Sequence, residues 1–243
     1  MTWERYLERL NNGLDLEPDE ISQVMEKILL GQAEIAEVKE FLLALKAKGE
    51  TAEEVGALVE QMFHHSSPIS IRERAVDTVG TGGDGKDTFN ISTLACFIVA
   101  GTGQKVIKHG NYGASSVSGA SNVMEKMGYQ FKNEEAVLAN EVKEAGICFL
   151  HAPLFHPALK AVGPMRRNIG VRTFFNMLGP IVNPAQPKYQ LIGVYNLEMA
   201  RIYNYVLQSL NKDFTLIHSM DGYDEISLTA DTKVVTNKGE FIK

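Results

Sequence analysis

Apolar residues recur at helical spacing through residues 1–66. One helix is predicted to begin at Pro18 and to end at Gly31, because proline favours the first helical turn and glycine the position after the last. Its apolar positions lie on one face: Ile21, Val24, Met25, Ile28 and Leu29. A helix over 35–48 and another after the capping pair Thr51 and Glu54 complete a compact antiparallel helical unit.

From Ala75 the pattern changes to short apolar runs that alternate with helical stretches. Strands are predicted at Ala75–Val79, Lys105–Lys108, Ile147–His151, Gln190–Tyr195 and Phe214–Ser219. Helices are predicted at Ile91–Thr102, Asn122–Met127, Glu134–Ala145, His156–Val162 and Leu197–Leu210. This alternation indicates a mainly parallel sheet flanked by helices. The predicted fold class is therefore α/β, with a small N-terminal all-helical domain at 1–70 and a larger α/β domain at 71–243.

The last residues of the sequence do not close such a sheet. Val234 to Lys243 are predicted to form a hairpin, and no helix follows them. We therefore expect that the sequence lacks a C-terminal portion of the domain.

Composition restricts the class of partner. Of 243 residues, 44% are hydrophobic and 22% charged, and the net charge is −6. An acidic chain is a poor match for nucleic acid, whose phosphates require a basic surface. No signal peptide and no membrane-spanning run is recognisable. We therefore expect no nucleic-acid or membrane partner. Cys96 and Cys148 lie in apolar runs and are expected to be reduced core thiols, which predicts a cytoplasmic protein.

The most informative segment is DTVGTGGDGKDTFNIST, from Asp77 to Thr93. A strand leads into a glycine-rich loop, and a helix begins near Asn90. Backbone N–H groups and the helix dipole at such a place bind anions. Asp84 and Asp87 would repel a bare phosphate but suit one that arrives with a divalent cation. The segment therefore predicts a phosphorylated substrate carried with Mg²⁺.

Two familiar templates fit the loop less well. Residues 80–85 satisfy G-x-G-x-x-G, yet the second strand ends in Lys108 and His109 instead of the acidic residue that a dinucleotide ribose requires. Residues 80–86 nearly form a Walker loop, but Asp87 replaces its Mg²⁺-binding serine or threonine. A connector without function remains an alternative, although so many glycines are entropically costly.

Further polar loops follow other strands. Lys108, Asn111 and the serines at 115, 116, 118 and 121 could share a pocket with the glycine loop, or could form an ordinary polar turn. Asp221, Asp224 and Glu225 are either a solvated turn or oxygen ligands for Mg²⁺. Arg166, Arg167 and Arg172 are either surface charges or a clamp for a carboxylate.

Taken together, these motifs resemble the anthranilate phosphoribosyltransferase family. The motifs, in order, are GTGGD at 80–84, T-x-N-x-S-T at 88–93, KHGN at 108–111, S-G-x-S-x-V at 118–123, HP at 156–157, R-x-x-x-G-x-R-T-x-F-N at 166–176, LGP-x-x-NP at 178–184 and DG-x-DE-x-S at 221–227. The resemblance covers the chain continuously, including the helical unit. Enzymes of this family continue beyond the position of Lys243.

The resemblance implies transfer of a phosphoribosyl group from phosphoribosyl pyrophosphate to the amine of anthranilate, in tryptophan biosynthesis, with release of pyrophosphate. It implies that the donor contacts Gly80, Thr81, Gly82, Gly83, Asp84, Thr88, Asn90, Ser92, Thr93, Lys108, Ser115, Ser116, Ser118, Gly119 and Ser121. Anthranilate would contact Gly80, Asn111 and Arg166. Two Mg²⁺ ions are expected, with Ser92, Asp224 and Glu225 as ligands. A homodimer through the helical domain is expected, and a segment near 164–184 is expected to pack with that domain.

The chain departs from the family pattern at two positions. Tyr112 and Val117 stand where the family usually has arginine and lysine, so two cations near the donor phosphates are missing. No general base is predicted, because metal and amide groups can stabilise the leaving pyrophosphate and the aromatic amine is already unprotonated. The alternatives are a pyrimidine nucleoside phosphorylase and a non-catalytic or inactive ligand-binding fragment.

Overall fold

The computed structural model describes residues 2–113, 118–160, 162–163, 169 and 171–243. The chain divides into two compact units. One contains the described parts of Met1–Ser67 and His156–Val182, and the other contains those of Pro68–Phe155 and Asn183–Lys243. Within the described residues, no helix is both long and apolar enough to cross a membrane.

The first unit is helical. Its helices are α1 (Trp3–Asn11), α2 (Pro18–Leu29), α3 (Ile35–Lys48), α4 (Ala52–His64) and, later in the chain, a short α9 (Phe174–Leu178). The apolar face predicted for α2 is buried, as are Phe41 and Leu45 of α3 and Leu58 of α4. Thr51 accepts a hydrogen bond from the Glu54 backbone N–H, so the predicted capping box begins α4.

The second unit contains the sheet. Over the described residues its seven strands lie in the order β3-β2-β1-β4-β5-β6-β7. Their bounds are β1 Ala75–Gly80, β2 Lys105–Gly110, β3 Ile147–His151, β4 Tyr189–Gly193, β5 Asp213–Ser219, β6 Thr232–Thr236 and β7 Gly239–Ile242. Strands β1 to β5 are parallel, whereas β6 and β7 add an antiparallel hairpin at one edge. The predicted α/β class, the five parallel strands and the hairpin are confirmed.

Helices of the second unit follow the strands, and all of them except the short α8 are at predicted places. They are α5 (Ile91–Gly101), α6 (Ala120–Lys126), α7 (Glu135–Ala145), α8 (Ala152–Phe155) and α10 (Leu197–Ser209). Leu138 and Val142 of α7 pack against Ile107, Cys148 and Leu150 of the sheet. This burial anchors the strands whose ends carry the polar loops.

One predicted helix is different. Residues 156–162 were expected to be helical, but Pro157–Lys160 form a single 3₁₀ turn. Pro157 follows His156 directly, and a residue before a proline disfavours the α conformation, so His156 does not begin a helix. The prediction of an α-helix is therefore wrong for Pro157–Lys160.

Candidate active site

The polar loops lie at the carboxyl ends of the parallel strands. Along the sheet, β2 and β3 extend from one side of β1, whereas β4 and β5 extend from the other. The order of the chain thus reverses between β1 and β4, and such a switch point is where open α/β sheets bind ligands. Gly80 and Gly193 are paired there, as the last residues of their strands.

The glycine loop has a conformation that requires glycine. Gly82 and Gly83 have φ values of 62° and 80°, in the left-handed region that side chains disfavour. Asp87 also has a positive φ, at 52°, which is uncommon for a residue with a side chain. The Thr81 N–H donates to the Gly193 carbonyl oxygen at 2.9 Å, which continues the β1–β4 pairing into the loop.

Asp224 joins the acidic loop to the glycine loop. Its Oδ2 accepts a 2.6 Å hydrogen bond from the Gly82 N–H. A Cβ on Gly80 would lie 2.6 Å from the same oxygen, and a Cβ on Gly193 would overlap the Asp224 carbonyl oxygen. Glycine at both strand ends therefore leaves the space that Asp224 occupies.

Three carboxylates converge at this place. Asp84, Asp224 and Glu225 offer oxygen atoms that lie within 4.8 Å of one another. Burial raises the pKa of Asp224, and the neighbouring Asp84 raises it further. Burial and then the charges of Asp224 and Asp84 raise the pKa of Glu225, although a hydrogen bond with Thr88 lowers it. The cluster is therefore electrostatically strained and would be relieved by a cation.

The cluster fits Mg²⁺. Within the described residues, the buried atoms Asp84 Oδ2 and Glu225 Oε2 have no hydrogen-bond partner. Such orphaned carboxylate oxygens are costly unless they bind something, and Mg²⁺ prefers a few carboxylates together with substrate oxygens and water. Asp84 was predicted as a donor contact, and the structure brings it together with the predicted ligands Asp224 and Glu225.

The start of α5 presents further predicted residues. Asn90 caps the helix, since its Oδ1 accepts from the Thr93 N–H at 3.2 Å, and its amide group donates to the Ser118 carbonyl oxygen at 3.3 Å. The hydroxyl oxygens of Thr81 and Thr93 are buried without a partner among the described residues. Ser92 is half-buried in the first turn of α5, and Thr88 is exposed in the loop before it.

The second loop is built around Gly119 and Ser121. A Cβ on Gly119 would overlap the backbone of Tyr112 and Gly113, and the Ser121 N–H donates to the Asn111 carbonyl oxygen at 3.1 Å. The Ser121 hydroxyl lies 2.8 Å from His151 Nδ1 and is fully buried. Asn111 itself is exposed. Ser121 therefore holds the loop in place, and Asn111 and Ser118 are the exposed polar residues beside it.

Lys108 is in an unexpected environment. Its side chain is 1% exposed, and its Nζ donates to the Thr78 carbonyl oxygen at 2.8 Å. The buried Asp77 lies close enough to interact with it electrostatically. The Lys108 side chain is therefore buried against β1.

Several predicted residues lie outside the described residues: Ser115, Ser116, Val117, Arg166 and Arg167. Conversely, Asp77, Asn183 and Gly193 were not predicted as site residues. Asn183 belongs to the LGP-x-x-NP motif, whose sequence does not indicate a role for it. Gly193 could not be singled out, because its requirement comes from Asp224 in a distant loop.

Comparisons with known proteins agree with this arrangement. A model described as "Glycosyl transferase family, a/b domain" matches residues 72–243, and a helical bundle domain model of the same family matches residues 4–66. Anthranilate phosphoribosyltransferase of Flavobacterium johnsoniae is 51% identical over 235 residues, which are 96% of this chain and 71% of the relative. The enzyme of Christiangramia forsetii is 49% identical over 97% of this chain and 72% of its own length.

Solved structures give the same result. Anthranilate phosphoribosyltransferase of Thermus thermophilus superposes with a TM-score of 0.89 at 34% identity and covers 98% of this chain and 72% of its own. The Saccharomyces cerevisiae enzyme, solved in complex with phosphoribosyl pyrophosphate and Mg, superposes with a TM-score of 0.91 at 28% identity, over 99% of this chain and 72% of its own. These relatives give no support to the nucleoside phosphorylase alternative. The chain belongs to the anthranilate phosphoribosyltransferase family.

Proposed function

We propose that this chain transfers the phosphoribosyl group of phosphoribosyl pyrophosphate to the amine of anthranilate, with release of pyrophosphate, in tryptophan biosynthesis. The observation that carries the proposal is the strained group of Asp84, Asp224 and Glu225 beside a glycine loop at the switch point of the sheet. This arrangement suits a pyrophosphate that arrives with divalent metal. The yeast relative solved with phosphoribosyl pyrophosphate and Mg supports the same ligand pair here.

The donor is proposed to lie along the glycine loop and the first turn of α5. The hydroxyls of Thr81 and Thr93 would bind the phosphate oxygens, and Gly82 and Gly83 remain donor contacts implied by the resemblance. The hydroxyl oxygens of both threonines are buried and have no partner among the residues that the structure describes, which supports this assignment. Thr88, Asn90, Ser92 and Ser118 remain proposed donor contacts from the resemblance, as do Lys108, Gly119, Ser115, Ser116 and Ser121.

Two Mg²⁺ ions per site are proposed, one at Asp224 and Glu225 and one near Ser92. When bound, they would neutralise the charge that develops on the leaving pyrophosphate. Asp84 is proposed as an additional ligand, since its Oδ2 has no partner among the described residues. The chain itself has to hold the carboxylate oxygens of Asp84, Asp224 and Glu225 close together. The hydrogen bond from the Gly82 N–H to Asp224 Oδ2 fixes the position of one of these carboxylates.

Anthranilate is proposed to bind at Asn111, with Gly80 and Arg166 as further contacts. Its amine needs no deprotonation before attack, so the chain mainly has to align it with C1′ of the ribose. A neutral Tyr112 follows Asn111, and its hydroxyl donates to Glu125 at 2.6 Å. The negative charge of phosphoribosyl pyrophosphate must therefore be balanced mainly by the metal and the backbone amides.

We further propose a cytoplasmic homodimer that associates through the helical unit. The cytoplasmic assignment follows from two buried, unpaired cysteines and a biosynthetic role. The dimer follows from the resemblance alone. Sedimentation equilibrium of the purified chain would test it, and a concentration-independent monomer would contradict it.

The test of function uses the loss of anthranilate fluorescence in the presence of phosphoribosyl pyrophosphate and Mg²⁺. Wild type should show anthranilate-dependent release of pyrophosphate, whereas thymidine with phosphate should give no product. D224N and E225Q should lower kcat/KM at fixed Mg²⁺ by about 10²-fold, the usual scale for loss of one charge-stabilising group. Their response to Mg²⁺ should shift to higher concentration.

D231N is the matched control, because Asp231 is an exposed carboxylate near the same strands. It should leave the Mg²⁺ response unchanged. Absence of wild-type turnover would overturn the proposed activity, and isothermal titration with the donor would then distinguish a ligand-binding fragment from a protein without this ligand. An unchanged Mg²⁺ response in D224N and E225Q would refute the metal assignment.

A further inference from the structure

Strands β1 and β2 separate before they reach the site. Among their described residues, the ladder pairs only Ala75 with Lys105 and Val76 with Val106. By contrast, β1 and β4 remain paired for five residues, up to Gly80 and Gly193. The carboxyl ends of β1 and β2 therefore lack the backbone ladder that joins the other parallel strands.

Side chains occupy the place of the missing ladder. The His109 N–H donates to Asp77 Oδ1 at 3.4 Å instead of to a β1 carbonyl oxygen. The Thr78 carbonyl oxygen accepts instead from Lys108 Nζ at 2.8 Å and from the Cys96 thiol at 3.5 Å. Backbone groups of both strands are thus satisfied by side chains, which is what buried backbone requires when strands diverge.

Asn183 completes this cluster from the LGP-x-x-NP motif. Its amide group donates to Asp77 Oδ2 at 2.9 Å and to the Ile107 carbonyl oxygen at 3.0 Å, and its Oδ1 accepts from the Ala185 N–H at 3.0 Å. Asp77, Lys108 and Asn183 are each at most 1% exposed. One side chain thus bonds to β1 and β2 at the point where they part.

We infer that Asp77 and Asn183 form a spacer that sets the separation between the glycine loop and Asn111. The glycine loop follows β1, and Asn111 follows β2 directly. Within the proposed function, on which this inference rests, these two loops bind the two reactants. The spacer residues are positioning residues, since their buried contacts are with the strands.

The charges in the spacer explain why its members belong together. A buried carboxylate is stable only if it is paired or hydrogen-bonded, and Asp77 has a nearby cation and two donors. Removing one member leaves another unsatisfied, so the strands must shift to repair the loss. A displacement of about 1 Å between aligned reactants can cost about 10²-fold in rate.

An exchange of two side chains tests the spacer. N183D removes both donated hydrogen bonds and places a second carboxylate against Asp77. In the double variant D77N/N183D, the amide introduced at position 77 can accept from the His109 N–H and donate to the carboxylate introduced at position 183. That carboxylate can still accept from the Ala185 N–H. Only the bond to the Ile107 carbonyl oxygen is lost, and one carboxylate remains near Lys108.

We expect N183D to lower kcat by about 10²-fold, with little change in the KM for phosphoribosyl pyrophosphate or in the Mg²⁺ response. The double variant should recover to within about tenfold of wild type. N237D is the matched control, because Asn237 bridges the Phe214 N–H and the Lys212 carbonyl oxygen at the other end of the sheet. It should lower thermal stability without this selective loss of kcat.

Crystal structures of wild type and N183D provide a readout that does not depend on activity. The separation between Thr81 and Asn111 should change in N183D and return in the double variant. An unchanged separation would overturn the spacer, whether or not the chain is active. An active wild type with undiminished kcat in N183D, or a double variant no better than N183D, would also overturn it. An inactive wild type with the expected shift would support the spacer and refute only the proposed activity.

Discussion

Gly193 shows how one missing methyl group can control the position of a proposed metal ligand. The residue ends β4 in extended backbone, so its conformation does not require glycine. The requirement is spatial, because a Cβ would overlap the Asp224 carbonyl oxygen. A rotamer change cannot remove this overlap, because the positions of a Cβ and of a carbonyl oxygen are both fixed by the backbone.

G193A is therefore expected to displace the acidic loop. Overpacking of this kind costs about 1–3 kcal/mol in unfolding free energy, and the Mg²⁺ response should weaken as Asp224 moves. Urea denaturation and Mg²⁺ titration of turnover measure the two effects. G101A is the control, because a Cβ there meets nothing within 4 Å. Equal Mg²⁺ responses in G193A and wild type would contradict this account.

Asp77 gives a pH prediction at the same scale. Burial raises the pKa of its carboxyl from 3.8 to about 6, although Lys108, Asn183 and the His109 N–H act in the opposite direction. The folded state therefore holds this proton more tightly than the unfolded state. The stabilisation is present below about pH 4 and is lost as the pH rises through about 6.

The D77N variant has no such proton to lose. We expect the unfolding free energy of wild type to fall relative to that of D77N between about pH 4 and pH 6, and their difference to be constant above that range. Chemical denaturation across this pH range measures the difference. A pH-independent difference would mean that Asp77 titrates at its ordinary pKa in the folded chain.

Individual site residues were predictable to different degrees. Asp224 and Glu225 follow a strand end in an acidic turn, so their chemistry and position both point to metal. Asn183 and Gly193 act through contacts with residues distant in sequence, such as Asp77 and Asp224. The charge of Lys108 is visible in the sequence, whereas its burial beside Thr78 depends on the separation of two strands.

At the scale of elements, the strands were predictable because each is a short apolar run that ends in glycine or a polar residue. The helices that pack on the sheet were predictable because stretches of helical pattern alternate with these apolar runs. The separation of β1 and β2 was not, because it involves contacts between β1, β2 and the distant segment that contains Asn183. The 3₁₀ turn at Pro157–Lys160 was missed since four residues cannot display a helical period.

The helical unit contains an ion pair whose removal should be costly. Glu54 is fully buried and accepts from Lys48 Nζ at 2.7 Å, as well as from the Leu16 and Thr51 N–H groups. K48M would leave a buried carboxylate without its cation, and such losses cost about 3–5 kcal/mol. The free energy of unfolding in urea measures the effect.

K233M is the comparison for this prediction. Lys233 pairs with Glu240 at 2.9 Å, but the Glu240 side chain is 64% exposed. Exposed pairs contribute about 0–1 kcal/mol, so this variant should be nearly neutral. Similar losses in K48M and K233M would show that burial does not decide the strength of these pairs.

At the scale of the whole molecule, the proposed site joins the start of the α/β unit to its end. Asp84 follows the first strand, whereas Asp224 and Glu225 follow the fifth, about 140 residues later. Mg²⁺ and the donor would therefore crosslink distant parts of one chain. A ligand that binds only the folded state stabilises it by mass action.

Phosphoribosyl pyrophosphate with Mg²⁺ should accordingly raise the melting temperature of the chain. At one hundred times the dissociation constant the gain is about 2.7 kcal/mol, which corresponds to about 5–10 °C for a chain of this size. Differential scanning calorimetry measures the shift. The donor with EDTA should give a much smaller shift, and D224N should lose most of it, because the carboxylates repel the donor unless metal lies between them. A shift of equal size in EDTA would mean that the donor binds without the carboxylate cluster, and the charge argument for Asp84, Asp224 and Glu225 would then fail.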